Sequence, residues 1–183
     1  MKNKKLTGPT YLTISRIILS IAFFVFVLLP WTWAKIVAFV VFVVSAITDS
    51  IDGKWARKEK LVTDLGAFLD PLADKTLVNL AFLALVYLNI VPIWVFAIIL
   101  IRDFAVDGVR MMAARDGRTI SASIYGKIKT TTQMIALSIL IFNLIVNLEF
   151  FAIVGNIALY LALTLTVLSG FDYIIKGWKQ LTK

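Results

Sequence analysis

The chain has 183 residues, 60% of them hydrophobic, and a mean hydropathy of +0.90; it is too apolar for a soluble globular domain and suits a single membrane domain. It contains no cysteine and no histidine, which excludes disulfides, thiolate zinc sites, a catalytic thiol and the commonest general base. A net charge of +8 would suit nucleic acid in amount. Its Lys and Arg residues gather between apolar runs, however, as in cytoplasmic loops that face anionic headgroups.

A hydrocarbon core about 30 Å thick takes roughly 20 helical residues. Six stretches fit, which predicts an all-α integral membrane protein with six transmembrane helices in one domain over residues 1–183. The first runs from about Thr10 to Leu29, after a basic start, MKNKK. That run is longer than a signal-peptide core and lacks a small-residue cleavage site, so it is expected to be a retained span. The others are Trp33 to Thr48, Gly66 to Asn89, Pro92 to about Ala114, Tyr125 to Asn147, and Phe150 to Ile175. Polar stretches at 53–65 and 115–124 and short turns join them.

Placing both termini in the cytoplasm puts 53–65 and 115–124 on the same side as the ends. Of the 19 Lys and Arg residues only Lys35 then falls near the outer face, and of the 11 acidic residues only Glu149 does. Trp31, Trp33 and Trp94 fit the outer interface and Trp178 the inner one, where amphipathic rings settle.

Asp49, Asp52, Asp70 and Asp74 stand at the cytoplasmic margins of the second and third spans. Carboxylates in such a chain are costly and mark paired or functional positions. Spacings of three and four set each pair on one helix face, and the 53–65 turn is expected to bring the two helix ends together. Four carboxylates without His or Cys favour a hard cation, and one or two Mg2+ or Mn2+ ions would relieve their mutual repulsion. Gly53, Ala56 and Gly66 leave room for a ligand, Pro71 is expected in the first turn of the third helix, and Arg57 and Lys75 suit phosphate oxygens. The bland alternative is solvated loop acids paired with Lys54, Arg57, Lys58 and Lys60, which does not account for the ordered spacing.

The stretch Asp49 to Asp74 resembles the signature of the CDP-alcohol phosphotransferases, D-x-x-D-G-x-x-A-R-x8-G-x3-D-x3-D. Asp49, Asp52, Gly53, Ala56, Arg57, Gly66, Asp70 and Asp74 fill every fixed position, and the six-span plan agrees with that family along the whole chain. Further segments, PTYLTISRI, FLDPLADK, IRDFAVDGVR, YGKIKTTTQMIAL and VLSGFDYIIKG, are similar to the bacterial branch that takes CDP-diacylglycerol as donor and glycerol 3-phosphate as acceptor. The resemblance implies a bacterial cytoplasmic membrane, an active site facing the cytoplasm and a homodimer. The branch's usual Asn-Ile-Pro-Asn opening is replaced here by Thr7-Gly8-Pro9-Thr10, and Asp107 stands where relatives often carry a neutral residue.

The basic residues suit an acceptor that carries its own phosphate. Arg102 and Arg110 are eight apart, about two turns, so they share one face of the fourth span, and Lys127 and Lys129 open the fifth on the same side. Topology alone is the competing explanation for Lys129 and Arg115. Thr13 and Arg16 remain near the start; Arg16 is expected at the diphosphate, or else snorkels at a helix end.

In the family-based reading the four aspartates hold the metal, with Asp70 and Asp74 nearest the chemistry and Asp74 acting as base, as ligand or as both. Gly53, Ala56, Arg57 and Gly66 line the nucleotide site with Thr13, Arg16 and Lys75, while Arg102, Arg110 and Lys127 hold the acceptor phosphate. Two alternatives are another CDP-alcohol phosphotransferase, making cardiolipin or phosphatidylinositol phosphate, and a cation transporter. A transporter would spread its acids across the bilayer midplane, whereas here they gather at one face.

Overall fold

The computed structural model describes the backbone of residues 8–59, 64–115 and 124–181, with side chains at 13–48, 75–113, 126 and 128–173. These residues form six helices and no strand: α1 (Gly8–Leu28), α2 (Thr32–Glu59), α3 (Asp64–Tyr87), α4 (Ile93–Arg115), α5 (Ile124–Val146) and α6 (Glu149–Leu181). The runs between the turns are rich in Leu, Ile, Phe, Val and Ala, and in an apolar medium a helix satisfies every backbone group within itself. Pro9 stands in the first turn of α1, where its missing N–H leaves no bond unmade.

Two compact units arise, one from residues 1–88 with 144–146, the other from 89–143 with 147–183. In the first, α1 packs along both α2 and α3. Tilted and edge-on ring contacts fix α1 and α2 as an antiparallel hairpin: Phe23 meets Phe42 at 5.4 Å between centroids and Phe26 meets Trp33 at 6.2 Å. The buried positions of α1 are Thr13, Arg16, Ser20, Phe23 and Val27, a three-and-four spacing that marks one face. In the second unit α4 packs on α6. Gly155 of α6 lets Leu140 of α5 come close, since a Cβ there would lie 2.6 Å from Leu140 Cδ2.

Both units carry large apolar side chains on the outside as well as in the core. Ile18, Ile21 and Val25 of α1, Ile36, Val40, Val44 and Ile47 of α2, and Ile153, Ile157, Leu161, Leu168 and Phe171 of α6 are exposed stripes. Buried within an otherwise apolar core are Thr13, Arg16, Ser20, Ser45, Lys129, Gln133, Thr166 and Ser169. Most hydroxyls donate to a carbonyl one turn back in their own helix: Ser20 to Arg16 at 2.8 Å, Thr132 to Ile128 at 2.9 Å, Ser138 to Met134 at 2.8 Å, and Thr166 to Ala162 at 2.6 Å.

Two helices end on asparagine-rich turns. Asn89 and Asn147 have φ of 57° and 50°, the left-handed region that asparagine tolerates after a helix. Asn147 N donates to Asn143 O at 2.9 Å and Leu148 N donates to Asn143 Oδ1 at 2.9 Å, which closes the end of α5.

Two sequence expectations are corrected. The stretch 53–65 is not a turn throughout, because α2 continues to Glu59 and leaves four connecting residues outside the described ones. GKWARKE is polar but, Gly53 apart, built of ordinary helix formers, so polarity marks where the apolar run stops rather than where the helix does. Pro71, expected in the first turn of α3, stands about two turns inside it because α3 begins at Asp64. Of the described helices, α5 (Ile128–Val146) and α6 (Glu149–Tyr173) contain stretches long and apolar enough to cross a bilayer; Thr13–Leu28, Thr32–Thr48 and Lys75–Tyr87 are shorter apolar stretches.

Candidate functional site

In the first unit the acidic motif lies on two helices. Asp49, Asp52, Gly53, Ala56 and Arg57 occupy consecutive turns of α2, and Gly66, Asp70 and Asp74 the first three turns of α3. Their side chains lie outside the described residues, as does that of Lys127 in α5. Among the described residues no three acidic side chains gather as a metal site. The antiparallel register of α1 and α2 sets Thr13 and Arg16 at the level of the turn that carries Asp49 and Asp52.

The α1 face that is apolar at Phe23 and Val27 thus becomes polar towards the motif, where Thr13 is 2% and Arg16 7% exposed. Ser45, fully buried one turn before Asp49, has no partner for its Oγ. A buried hydroxyl without a partner is costly, and it sits where a polar ligand would be useful. Lys75, one residue beyond Asp74, is half-buried.

In the second unit the basic residues are held in detail. Arg102 of α4 donates from Nη2 to Ser169 Oγ of α6 at 2.8 Å and from Nη1 to Asp103 Oδ1 at 2.9 Å. Its stem lies against the backbone of Gly170, where a Cβ would come within 2.8 Å of Arg102 Cγ. Lys129 of α5, 4% exposed, donates to Asp103 Oδ1 at 2.8 Å and to Oδ2 at 3.0 Å. Arg110 is exposed; it donates from Nε to Tyr173 Oη at 2.9 Å and lies 5.1 Å from that ring's centroid.

Arg102 and Arg110 therefore reach Ser169 and Tyr173, four apart on α6, so the face they were expected to share is the face turned to that helix. Lys129 is no loop charge set by topology; it is buried and paired. Sequence reasoning missed Asp103, Ser169, Gly170 and Tyr173. An Arg-Asp pair inside an apolar run was a signal for the first, and a Ser and a Tyr one turn apart in VLSGFDY for the α6 pair.

The family model for CDP-alcohol phosphatidyltransferases matches residues 6–168. A CDP-diacylglycerol–glycerol-3-phosphate 3-phosphatidyltransferase of Bacillus subtilis strain 168 is 39% identical, over 94% of this chain and 96% of its own length. Proteins of the same name from Yersinia enterocolitica and Sodalis glossinidius are 39% and 38% identical. They cover 97% and 93% of this chain, and 98% and 94% of their own lengths.

Proposed function

This chain belongs to the CDP-alcohol phosphatidyltransferase family, and on that premise we propose that it transfers the phosphatidyl group of CDP-diacylglycerol to glycerol 3-phosphate, giving phosphatidylglycerophosphate and CMP. The observation that carries this reading is the unbroken motif from Asp49 to Asp74, set on α2 and α3, which both pack with α1 in one unit.

Asp49, Asp52, Asp70 and Asp74 would hold one or two Mg2+ or Mn2+ ions. The donor set fits, being all carboxylate in a chain with no His or Cys. When bound, such an ion neutralises the diphosphate and eases departure of CMP. Arg16 and Thr13, with Gly53, Ala56, Arg57, Gly66 and Lys75, orient the nucleotide diphosphate. Arg102, Arg110 and Lys127 hold the acceptor's phosphate. A glycerol hydroxyl of the acceptor then attacks the β-phosphorus; a new P–O bond forms as the bond to CMP breaks, and Asp74 receives the hydroxyl proton.

The same reading makes all six helices membrane spans of one catalytic domain, with both termini and the active site at the cytoplasmic face of a bacterial membrane. The exposed apolar stripes of α1, α2 and α6 and the one-sided placement of Lys and Arg support it. The homodimer rests on the family resemblance alone.

Purified protein in detergent, given CDP-diacylglycerol, Mg2+ or Mn2+ and separate labelled acceptors, should release CMP with glycerol 3-phosphate. Release only with serine, an inositol phosphate or phosphatidylglycerol would overturn the acceptor assignment.

A further inference from the structure

Gln133 is a polar side chain in an apolar place. On the buried face of α5 it follows Lys129 by one turn and precedes Ala136, Leu137, Leu140 and Ile141. Lys129 reaches Asp103 of α4 and Leu140 lies against Gly155 of α6, so this face is turned to both helices. Gln133 is 2% exposed, and its Nε2 is buried without a hydrogen-bond partner. Comparable groups of the same unit are satisfied within their own helices. Asn156 Nδ2 donates to Ala152 O at 2.9 Å, and Ser138 Oγ to Met134 O at 2.8 Å. A leucine at 133 would fill the same space without the cost of a dry, unbonded donor. The fold supplies no acceptor for that donor, which leaves a ligand to supply it.

The chemistry of the amide and its level on α5 indicate which part of a ligand it meets. A phosphate monoester dianion only accepts hydrogen bonds, and Arg102, Arg110 and Lys127 already serve it in the reading above. A carboxamide both donates and accepts, as a hydroxyl does. Gln133 stands four residues, about 6 Å along α5, beyond the Lys129 that meets Asp103, the sequence neighbour of Arg102. It is thus displaced by one turn from the phosphate level. Arg102 and Asp103 are half-buried, and the terminal torsion of a glutamine is soft, so the amide can turn towards a ligand that enters beside them. We propose that Gln133 is a specificity-determining residue: it hydrogen-bonds the hydroxyl on the central carbon of glycerol 3-phosphate while Arg102 holds the phosphate, leaving the terminal hydroxyl to react. This rests on the reading of glycerol 3-phosphate as acceptor and of Arg102 as a holder of its phosphate.

The discriminating acceptor is 3-hydroxypropyl phosphate, which keeps the phosphate and the terminal hydroxyl and lacks only the central one. A site built to bond a hydroxyl rejects the analogue without it, because its own polar group is then left unpaired. CMP release is measured with each acceptor at saturating CDP-diacylglycerol, with Mg2+ or Mn2+, for wild type, Gln133→Leu and Gln133→Met, alongside thermal unfolding in the same detergent. Wild type should prefer glycerol 3-phosphate by about tenfold or more in kcat/KM, the worth of one hydrogen bond. Either variant alone carries the test. Its ratio should fall to within about twofold of one, through a loss with glycerol 3-phosphate only, and it should melt no lower than wild type.

Equal use of the two acceptors by wild type overturns the proposal, the amide then holding a buried water only. A variant that keeps the wild-type preference overturns it too, as does one that loses activity with both acceptors alike. Failure of both variants to fold has the same force, since the amide would then be a structural bond. A wild type that releases no CMP with glycerol 3-phosphate sinks the reaction and this role together. An active wild type with any of the other adverse outcomes sinks the role of Gln133 alone.

Discussion

Replacing Gly170 by alanine sets a small stability gain against a loss at the acceptor side. The new Cβ would lie 2.8 Å from Arg102 Cγ, 3.4 Å from Nε and 3.7 Å from Cδ. Carbon atoms in contact prefer about 3.5–4.0 Å, so the arginine stem must retreat by about 1 Å. Its head is tethered at 2.8 Å to Ser169 Oγ and at 2.9 Å to Asp103, and such a retreat breaks at least one of these bonds. Losing a hydrogen bond of a charged group costs about 1.5–3 kcal/mol, against about 1 kcal/mol that alanine gains over glycine in a helix. Net stability should fall by about 1 kcal/mol. If Arg102 grips the acceptor, its KM should rise about tenfold, since tenfold corresponds to about 1.4 kcal/mol.

The assay is CMP release against glycerol 3-phosphate, alongside thermal unfolding in the same detergent. Gly155→Ala serves as the control, because the nearest side chains its Cβ would meet are apolar, Leu140 Cδ2 at 2.6 Å and Ile139 Cγ2 at 3.3 Å. Overpacking there should cost about 1–3 kcal/mol and leave the acceptor KM alone. An acceptor KM within about twofold of wild type in Gly170→Ala, or an equal rise in Gly155→Ala, would refute the reasoning.

Asp70→Asn should cut turnover by about a hundredfold or more with the far-ultraviolet circular dichroism unchanged, and EDTA should do the same to wild type until Mg2+ or Mn2+ is returned; activity surviving both would dismiss the metal site. Tyr173→Phe removes the hydroxyl that receives Arg110 Nε at 2.9 Å but keeps the ring, so the acceptor KM should rise about threefold, consistent with a net bond of about 0.5–1.5 kcal/mol; the kinetics above check this. Asn147→Val places a β-branched residue at φ 50° and should cost about 1–2 kcal/mol in thermal or denaturant unfolding, whereas Asn147→Gly should be close to neutral.

Helix number and helix positions were legible because long apolar runs leave the backbone one solution and short polar turns leave it little room. The ends of α2 and α3 were not. Hydropathy reports the solvent a residue prefers, and Lys54 to Glu59 prefer water while still extending α2. The acidic motif was legible because its spacing is local, each pair lying within about a turn of one helix. The basic network was only half legible. Arg102 and Arg110 stood out as charges in an apolar run, but their partners lie 67 and 63 residues away at Ser169 and Tyr173, a separation that no helical period encodes. Gly170 offered no chemical signal at all, since what matters there is the space it leaves for Arg102.

The two kinds of polar bond in this molecule imply an order of assembly. Ser20, Thr132, Ser138 and Thr166 are satisfied by their own helices, so those hydroxyls are paired before any neighbour arrives. Lys129 of α5 instead meets its carboxylate only when α4 is beside it. Translation delivers α4 before α5 and α6, and Arg102 and Asp103, adjacent in sequence and 2.9 Å apart, form a self-neutralising pair for that interval. Lys129 and Ser169 then lock that pair into a fixed network as α5 and α6 dock.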